Sequence, residues 1–266
     1  ALWLAAAGDL VLGIVLLRRV GIGRFATPAP VMAGAVTVIA LAATMVLVRF
    51  DPLVLASSVY RTGASTLGQA STMLFYRDGK TASVAVYDTR HAGNTTWSIA
   101  TNGKVDAGLS PSLKDPARSD EATMALLAAL PLSMKEKLDH VGVIGFGSGM
   151  TTHTLLGSKR VGQIDTVDIE PMMVEGARQF GKRVHRAFDD PRSHIIIDDA
   201  KSYFSSSRKQ YDVIVSEPSN PWMGGTASLF SSEFYRFIPR HLKQDGLFVQ
   251  WLQLYEIDET LVSSVL

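Results

Sequence analysis

Residues 141–150 read VGVIGFGSGM, an apolar run that feeds a glycine-rich turn. Val141, Val143 and Ile144 are β-branched and closely spaced, the pattern of a strand buried on both faces of a parallel sheet. Gly145, Gly147 and Gly149 follow. Glycines at this spacing let the backbone turn tightly and approach a ligand at the start of the next helix, whose free N–H groups attract negative charge. A glycine turn alone is a weak signal, because a strand-to-helix connection with no ligand uses the same residues. Its meaning depends on what the rest of the chain sets beside it.

Beyond the turn the chain alternates strand and helix. Strands are expected over 163–167, 194–197, 211–215 and 247–254, and helices over 171–180, 201–206 and 228–241. This rhythm means βαβ units and a parallel sheet. Five strands are expected here, where a complete domain of this type normally has one or two more. The domain at 120–266 is therefore expected to lack its last strands.

Upstream, period-two alternation at 72–76, 82–87 and 97–101 predicts strands. The pairs Asp78-Gly79 and Asn102-Gly103 are expected to supply the positive backbone angles of tight hairpin turns. A small antiparallel β domain is thus expected over 55–115. After a Pro- and Ser-containing linker, residues 121–130 read as a helix ending at Pro131.

The first 51 residues differ in composition. Residues 31–48 are uncharged, strongly apolar and flanked by Arg24 and Arg49, close to the length of a membrane-crossing helix. Residues 1–17 are also apolar, interrupted by Asp9, and lead to Arg18 and Arg19. Two transmembrane helices are expected over 1–51, the first truncated. The arginine-bearing loop between them argues for a cytoplasmic loop, which would carry the remainder across the membrane. The cofactor chemistry argues the other way and is weighed more heavily: a multi-pass inner or plasma membrane protein with its catalytic unit on the cytoplasmic face. Outside this segment 22 basic residues face 23 acidic ones, so no broad basic field points to nucleic acid. Cysteine is absent, which excludes disulfides, thiol catalysis and cysteine-ligated metals. His153, His185 and His194 lack a metal-ligand spacing, and no metal is expected.

Ligands of open α/β sheets bind at the carboxyl ends of the strands. The first strand ends in Gly145, Gly147, Ser148 and Gly149. The second ends in Asp168, with Glu170 just after; a carboxylate 23 residues past the first glycine is placed to accept both hydroxyl hydrogens of a ribose. The third runs into Asp198 and Asp199, one of which is a candidate acceptor for an adenine amino hydrogen while also capping the following helix. The fourth ends in Ser216, Glu217, Pro218, Ser219, Asn220, Pro221 and Trp222, dense in polar groups, prolines and one large aromatic. The dinucleotide pattern GxGxxG would want glycine where Met150 stands. Gly149 instead completes GxGxG, which favours an S-adenosylmethionine-type ligand over NAD.

Together these residues resemble the polyamine aminopropyltransferases, the spermidine synthase family, and its membrane-fused branch in particular. The specific stretches are Phe188-Asp189-Asp190-Pro191-Arg192 leading to Asp199, and Leu229-Phe230 with Glu233-Phe234-Tyr235 ahead of Leu242-Lys243-Gln244-Asp245-Gly246-Leu247-Phe248. The resemblance implies a Rossmann-like class I S-adenosylmethionine-dependent transferase fold with a small N-terminal β domain. It implies decarboxylated S-adenosylmethionine, or S-adenosylmethionine, as co-substrate, with Asp168 on the ribose, Asp199 on the adenine and Glu217 where the family carries its catalytic aspartate. The chain departs from the family in three places. Ser148 replaces an aspartate of the glycine loop. Asp120-Glu121 is followed by Met124 and Ala125 where the family has tyrosine and glutamine. Asn220 replaces a second carboxylate.

Aminopropyl transfer is displacement at a carbon next to a sulfonium, so the protein must hold an amine in line and keep it neutral. Glu217 is the candidate general base, Asn220 an acceptor for a hydrogen of the nucleophile, and Trp222 or Tyr255 a platform for a cationic substrate. The expected partners are a small-molecule amine and the membrane, with a homodimer left open. Two alternatives remain at this point: a methyltransferase, for which GxGxG with Ser148 speaks, and a ligand-sensing domain without catalysis, for which the lost side chains speak.

Overall fold

A computed structural model describes residues 2–19, 29–47, 50–220, 225–253 and 258–265. The chain separates into two compact units, Ala1–Phe50 and Asp51–Leu266. The first consists of α1 (Leu2–Arg19) and α2 (Ala29–Leu47), the latter without a single charged residue. Val11, Leu12, Val36 and Ile39 are exposed on these helices. Among the described residues no helix is long and apolar enough to cross a membrane. The two expected spans therefore stand in the structure as helices, and no more than that.

The second unit opens with two short helices, α3 (Pro52–Leu55) and α4 (Val59–Thr62), and an antiparallel sheet of β1 (Ser71–Asp78), β2 (Ser83–His91), β3 (Asn94–Thr101) and β4 (Lys104–Leu109) in sequential order. Sequence alternation pointed to three of these strands. The fourth follows from Asn102 and Gly103, whose φ values of 50° and 81° make the expected tight turn. The other expected turn differs. Gly79 is not among the residues with positive φ. Its lack of a side chain answers to space instead, since a Cβ there would lie 1.9 Å from Glu170 Oε1.

The helix α5 (Ser119–Met134) continues through Pro131 instead of ending before it. Proline removes one N–H donor, but Met124, Leu127, Ala128 and Pro131 itself are buried, and that packing outweighs the missing bond. A parallel sheet follows in the order β7-β6-β5-β8-β9: β5 (Leu138–Ile144), β6 (Val161–Asp168), β7 (Ser193–Ile197), β8 (Tyr211–Ser216) and β9 (Leu242–Gln250). All five expected strands are present. β9 begins five residues before its expected start, because an irregularity between Tyr211 and Val213 lets 242 and 247 both pair with β8.

The connecting helices are α6 (Met150–Leu155), α7 (Pro171–Ala177), α8 (Arg186–Asp189), α9 (Ala200–Ser206), α10 (Ser232–Phe237) and α11 (Glu259–Val265). The helix expected over 228–241 is broken in three. Ser231 caps α10 by accepting from Phe234 N, and a separate 3-10 turn runs over Ile238–His241 with Pro239 as its second residue. The helix expected over 171–180 is α only to Ala177, because Gly181 at φ 50° kinks the turn that follows.

The chain adds β6 and β7 on one side of β5, then returns to place β8 on the other. That reversal opens a crevice at the carboxyl ends of β5 and β8, where open α/β sheets take ligands. Val84, Val86 and Ile99 of the antiparallel sheet pack with Met173, Val174 and Phe180, so the small sheet shares a core with the helix that follows β6. Glu170, at the end of β6, completes the junction. It is 3% exposed and accepts from Thr81 N (2.7 Å), Thr81 Oγ1 (2.8 Å), Ala82 N (3.1 Å) and Met172 N (2.9 Å). Burial works against its charge, but these donors hold its carboxyl below the usual range.

Glu170→Ala strands three donors of the 79–82 loop. It is expected to cost about 2–3 kcal/mol in denaturant unfolding and to speed amide exchange at Thr81 and Ala82. In the wild type this stabilisation is present above the ordinary carboxylate range and is lost on acidification through Glu170's lowered pKa.

Candidate functional site

Gly145 carries φ 92°, a conformation that side chains rarely take. Its N–H donates to Val167 O at 2.9 Å, while Glu217 N donates to Ile144 O at 2.9 Å. These bonds extend the β6-β5-β8 ladder by one step and bring the backbone after β8 against the turn. A Cβ on Gly145 would lie 2.5 Å from Glu217 O. Gly145 is thus demanded twice, by its φ and by this approach. Gly147 (φ 50°) borders open space, and a Cβ on Gly149 (φ 82°) would press on the Phe146 ring at 3.0 Å.

A cavity of about 750 Å³ lies at this crevice. It is lined by Gly145, Gly147, Asp168, Asp198, Asp199 and Glu217 at the strand ends, and by Lys104, Asp106, Asp120, Thr123, Met124 and Ser219. The antiparallel sheet and α5 therefore supply part of the wall.

Asp168 accepts from Phe146 N at 2.8 Å and Glu170 N at 2.8 Å, which aims its carboxylate across the glycine turn. Burial pushes its pKa up to about 6 against those two donors, with the charges of Asp106 and Glu170 adding to the rise. Asp199 is the N-cap of α9, accepting from Ser202 N at 2.9 Å, and Asp198 accepts from Asp199 N at 2.8 Å. The capping role and a place on the cavity wall coexist.

Glu217 accepts a hydrogen bond from Thr151 Oγ1 at 2.6 Å. Burial raises its pKa to about 7; Thr151 opposes the rise and the nearby charge of Asp120 adds to it. Asp120 is itself raised by burial, against hydrogen bonds from Gly108 and Ser119 and the pull of Lys104. A carboxyl titrating near neutrality at the wall of a cavity has the pKa of a general base.

Other expected residues fall elsewhere. Ser148 is fully buried and does not line the cavity: its hydroxyl lies 3.2 Å from Met124 Sδ and accepts from Met150 N at 3.3 Å, so it stabilises the turn from behind. Gly149 likewise is not part of the cavity wall. Asn220 is 1% exposed, and among the described residues neither polar atom of its side chain has a hydrogen-bond partner. Trp222 and Tyr255 lie outside the described residues. His153 contacts Arg186 through both ring nitrogens, and burial together with the Arg186 charge lowers its pKa to about 4. Among the described residues no cluster of three or more His, Asp or Glu side chains could hold a metal ion.

Sequence reasoning missed Lys104, Asp106 and Thr151, and it named Ser219 only as part of the polar loop after the fourth strand. The signal was present in β4: Lys104 and Asp106 point inward while Val105 is 37% exposed, an inversion of the usual alternation. Asp106 is also the extra residue of a β-bulge, since Ile99 pairs with Ala107 and Ala100 with Val105. Glu121, next to Asp120, serves the fold. It forms a buried ion pair with Arg183, whose Nε donates to Ser110 O at 3.0 Å.

A sequence-family model described as Spermine/spermidine synthase domain matches residues 121–266. The chain is 30% identical over 140 residues to a polyamine aminopropyltransferase of Caldicellulosiruptor saccharolyticus, covering 53% of this chain and 50% of that protein. It is 33% identical over 124 residues to one of Bacillus subtilis, covering 47% and 45%. The chain thus spans about half the length of the curated relatives it matches. Among solved structures, a spermidine synthase in complex with the transition-state analogue AdoDATO aligns with a TM-score of 0.58 at 24% identity, covering 67% of this chain and 57% of that one. The spermidine synthase from Thermotoga maritima aligns with a TM-score of 0.56, also at 24% identity, covering 67% and 56%. At that identity the likeness is one of fold.

A carboxyl whose pKa rises on folding keeps its proton longer in the native state. Its contribution to stability therefore falls as pH rises from the ordinary carboxylate range through about 7. Glu217→Gln is expected to remove that loss and to raise stability at pH 8 by on the order of 3 kcal/mol, with little change at pH 4.5, as read by denaturant unfolding at both pH values.

Proposed function

The chain belongs to the spermine/spermidine synthase domain family, and from that membership we propose that it is an aminopropyltransferase moving the three-carbon amine of decarboxylated S-adenosylmethionine to a small amine. The observation that carries the reading is the cavity itself: a carboxylate at the end of β6, a pair at the end of β7 and a near-neutral glutamate after β8 all face one space.

Asp168 has two lone-pair-bearing oxygens turned toward the glycine turn and suits a ribose diol. Asp198 or Asp199 suits the amino group of an adenine, and Gly145 and Gly147 leave room for the sulfonium and its chain. Beside Glu217 the amine nitrogen forms its bond to the carbon next to sulfur as the carbon–sulfur bond breaks. The electron pair of that bond goes to sulfur, leaving a neutral thioether nucleoside. The proton released by the nitrogen passes to Glu217. Above pH 7 that carboxylate is ionised and can keep the nucleophile neutral.

Purified protein supplied with the decarboxylated sulfonium and an amine is expected to yield the aminopropylated amine and 5′-methylthioadenosine in equal amounts. Glu217→Gln is expected to lower kcat by about 10²-fold or more and to abolish a kcat/KM profile that rises through about pH 7. Tighter binding of S-adenosylmethionine than of its decarboxylated form, with methylated amine as product, would replace this reading with a methyltransferase. Asp168→Asn is expected to weaken nucleoside binding by about tenfold or more, the worth of one hydrogen bond from a charged group, as titrated calorimetrically.

The proposal extends to location. Helices α1 and α2 would hold the cavity-bearing unit at the cytoplasmic face of a membrane. The support is the uncharged 19-residue course of α2 and the exposed Val36, Val38 and Ile39. Retention in the pelleted membrane fraction after an alkaline wash is the expected result, and full release into the supernatant would refute the anchoring.

A further inference from the structure

Glu217 follows directly on β8, and its backbone is fixed on both sides. Its N–H donates to Ile144 O at 2.9 Å. Two residues on, Ser219 Oγ accepts from Lys104 Nζ at 3.0 Å and donates to Asp106 Oδ1 at 2.9 Å. Lys104 Nζ donates to the same Asp106 oxygen at 3.0 Å, which closes a ring that ties the loop to β4. With the backbone held, the carboxylate is left to its side-chain torsions alone. Those torsions have several staggered wells, and a base that samples them all is out of line with its substrate for most of the time.

Thr151 removes that freedom. It is the second residue of α6 and 3% exposed, and its hydroxyl donates to Glu217 Oε2 at 2.6 Å. The hydroxyl's other acceptor, Met124 O, lies at 3.5 Å, too far to compete. The start of α6 is itself pinned: Thr152 Oγ1 and Thr166 Oγ1 of β6 are 2.8 Å apart, and Ser148 Oγ lies 3.2 Å from Met124 Sδ of α5. Thr151 is therefore a donor on a rigid mount. An oxygen that already accepts a hydroxyl proton is the less basic of its pair, so the two carboxylate oxygens of Glu217 become unequal. Asp120 of α5 acts on Glu217 through its charge, and Lys104, Asp106 and Asp168 line the same cavity. These charges act on the carboxyl as a whole, whereas the Thr151 bond distinguishes one oxygen from the other.

Resting on the transferase reading above, we propose that Thr151 is the positioning residue of the base: its hydroxyl holds Oε2 of Glu217, which leaves Oε1 as the oxygen that takes the proton from the acceptor amine. As the nitrogen–carbon bond forms and the carbon–sulfur bond breaks, the N–H electron pair stays with nitrogen and the proton bonds to Oε1. Thr151 does not line the cavity, so it acts through Glu217 and not on either substrate.

The test compares Thr151→Val, which keeps the shape and loses the hydroxyl, with Thr151→Ser, which keeps the hydroxyl. The titration of Glu217 is followed by carbon NMR of carboxyl-labelled glutamate, with Glu217→Gln identifying its signal. In parallel, kcat/KM is measured across pH with the decarboxylated sulfonium and 1,4-diaminobutane. Losing a donor to the ionised form raises a carboxyl's pKa. In Thr151→Val the Glu217 midpoint is expected to move up by about one pH unit, and the acid limb of kcat/KM to move with it. Above both midpoints kcat is expected to fall by about tenfold, because the carboxylate is no longer aimed. Thr151→Ser is expected to bring all three back toward the wild type, and both variants are expected to keep the wild-type Kd for 5′-methylthioadenosine. An unchanged midpoint in folded Thr151→Val, or a Thr151→Ser that behaves like the valine variant, would overturn the inference. Weakened nucleoside binding without a shift of the midpoint would make Thr151 a support of the glycine turn and overturn it as well. Thr151→Ala carries the same expectations if valine is not accommodated. The Glu217 titration needs no turnover, so a wild type without product whose midpoint still responds as expected would count against the transferase reading alone.

Discussion

The site depends on the approach of two backbones, Gly145 and Glu217. Ile144 O accepts from Glu217 N and Val167 O accepts from Gly145 N, so the first step beyond the sheet is still hydrogen-bonded across three strands. A methyl group at residue 145 would lie 2.5 Å from Glu217 O and would push the loop after β8 away. The position of the proposed base therefore depends on the absence of a side chain on another strand. Thr151, the second residue of α6, then holds the carboxylate itself. Strand ladder, glycine and helix converge on one oxygen pair.

The antiparallel sheet has a similar dependence on a single point. Its core is shared with α7, and its edge is tied by Glu170 to the end of β6. Glu170 N also donates to Asp168, so the residue that clasps the small sheet orients the cavity carboxylate. This economy brings Lys104 and Asp106 to the cavity that Gly145 and Glu217 line, although more than thirty residues separate them in sequence. It also explains two electrostatic features. Asp168 and Glu217 both titrate high chiefly because they are buried, and the carboxylates around them add to that cost. The cavity stores destabilising charge, as functional sites often do.

The departures from the family pattern gain a physical meaning here. Ser148 turns behind the glycine loop, hydrogen-bonded to Met150 N and lying against Met124 Sδ, and Met124 occupies the cavity wall in place of a hydroxyl or amide. Lys104, reaching the wall from β4 and paired with Asp106, offsets one of the cavity's carboxylates.

The sequence by itself determined the parallel sheet, the glycine turn, the N-cap at Asp199 and the grouping of Asp168, Asp199 and Glu217, because strand period, glycine spacing and capping residues are local signals. It also identified Asn102-Gly103 as a tight turn. It misjudged helices at Pro131 and Ser231, where burial and capping compete within one or two residues. Only the tertiary structure decided that Gly79 is needed for Glu170 and not for its own φ. Only the structure decided that Ser148 faces away from the cavity and that Lys104, Asp106 and Ser219 form one cluster. Those facts depend on a bulge, a shared core and a contact between distant strands, and no periodicity along the chain encodes which side chains a third element will bring within 3 Å.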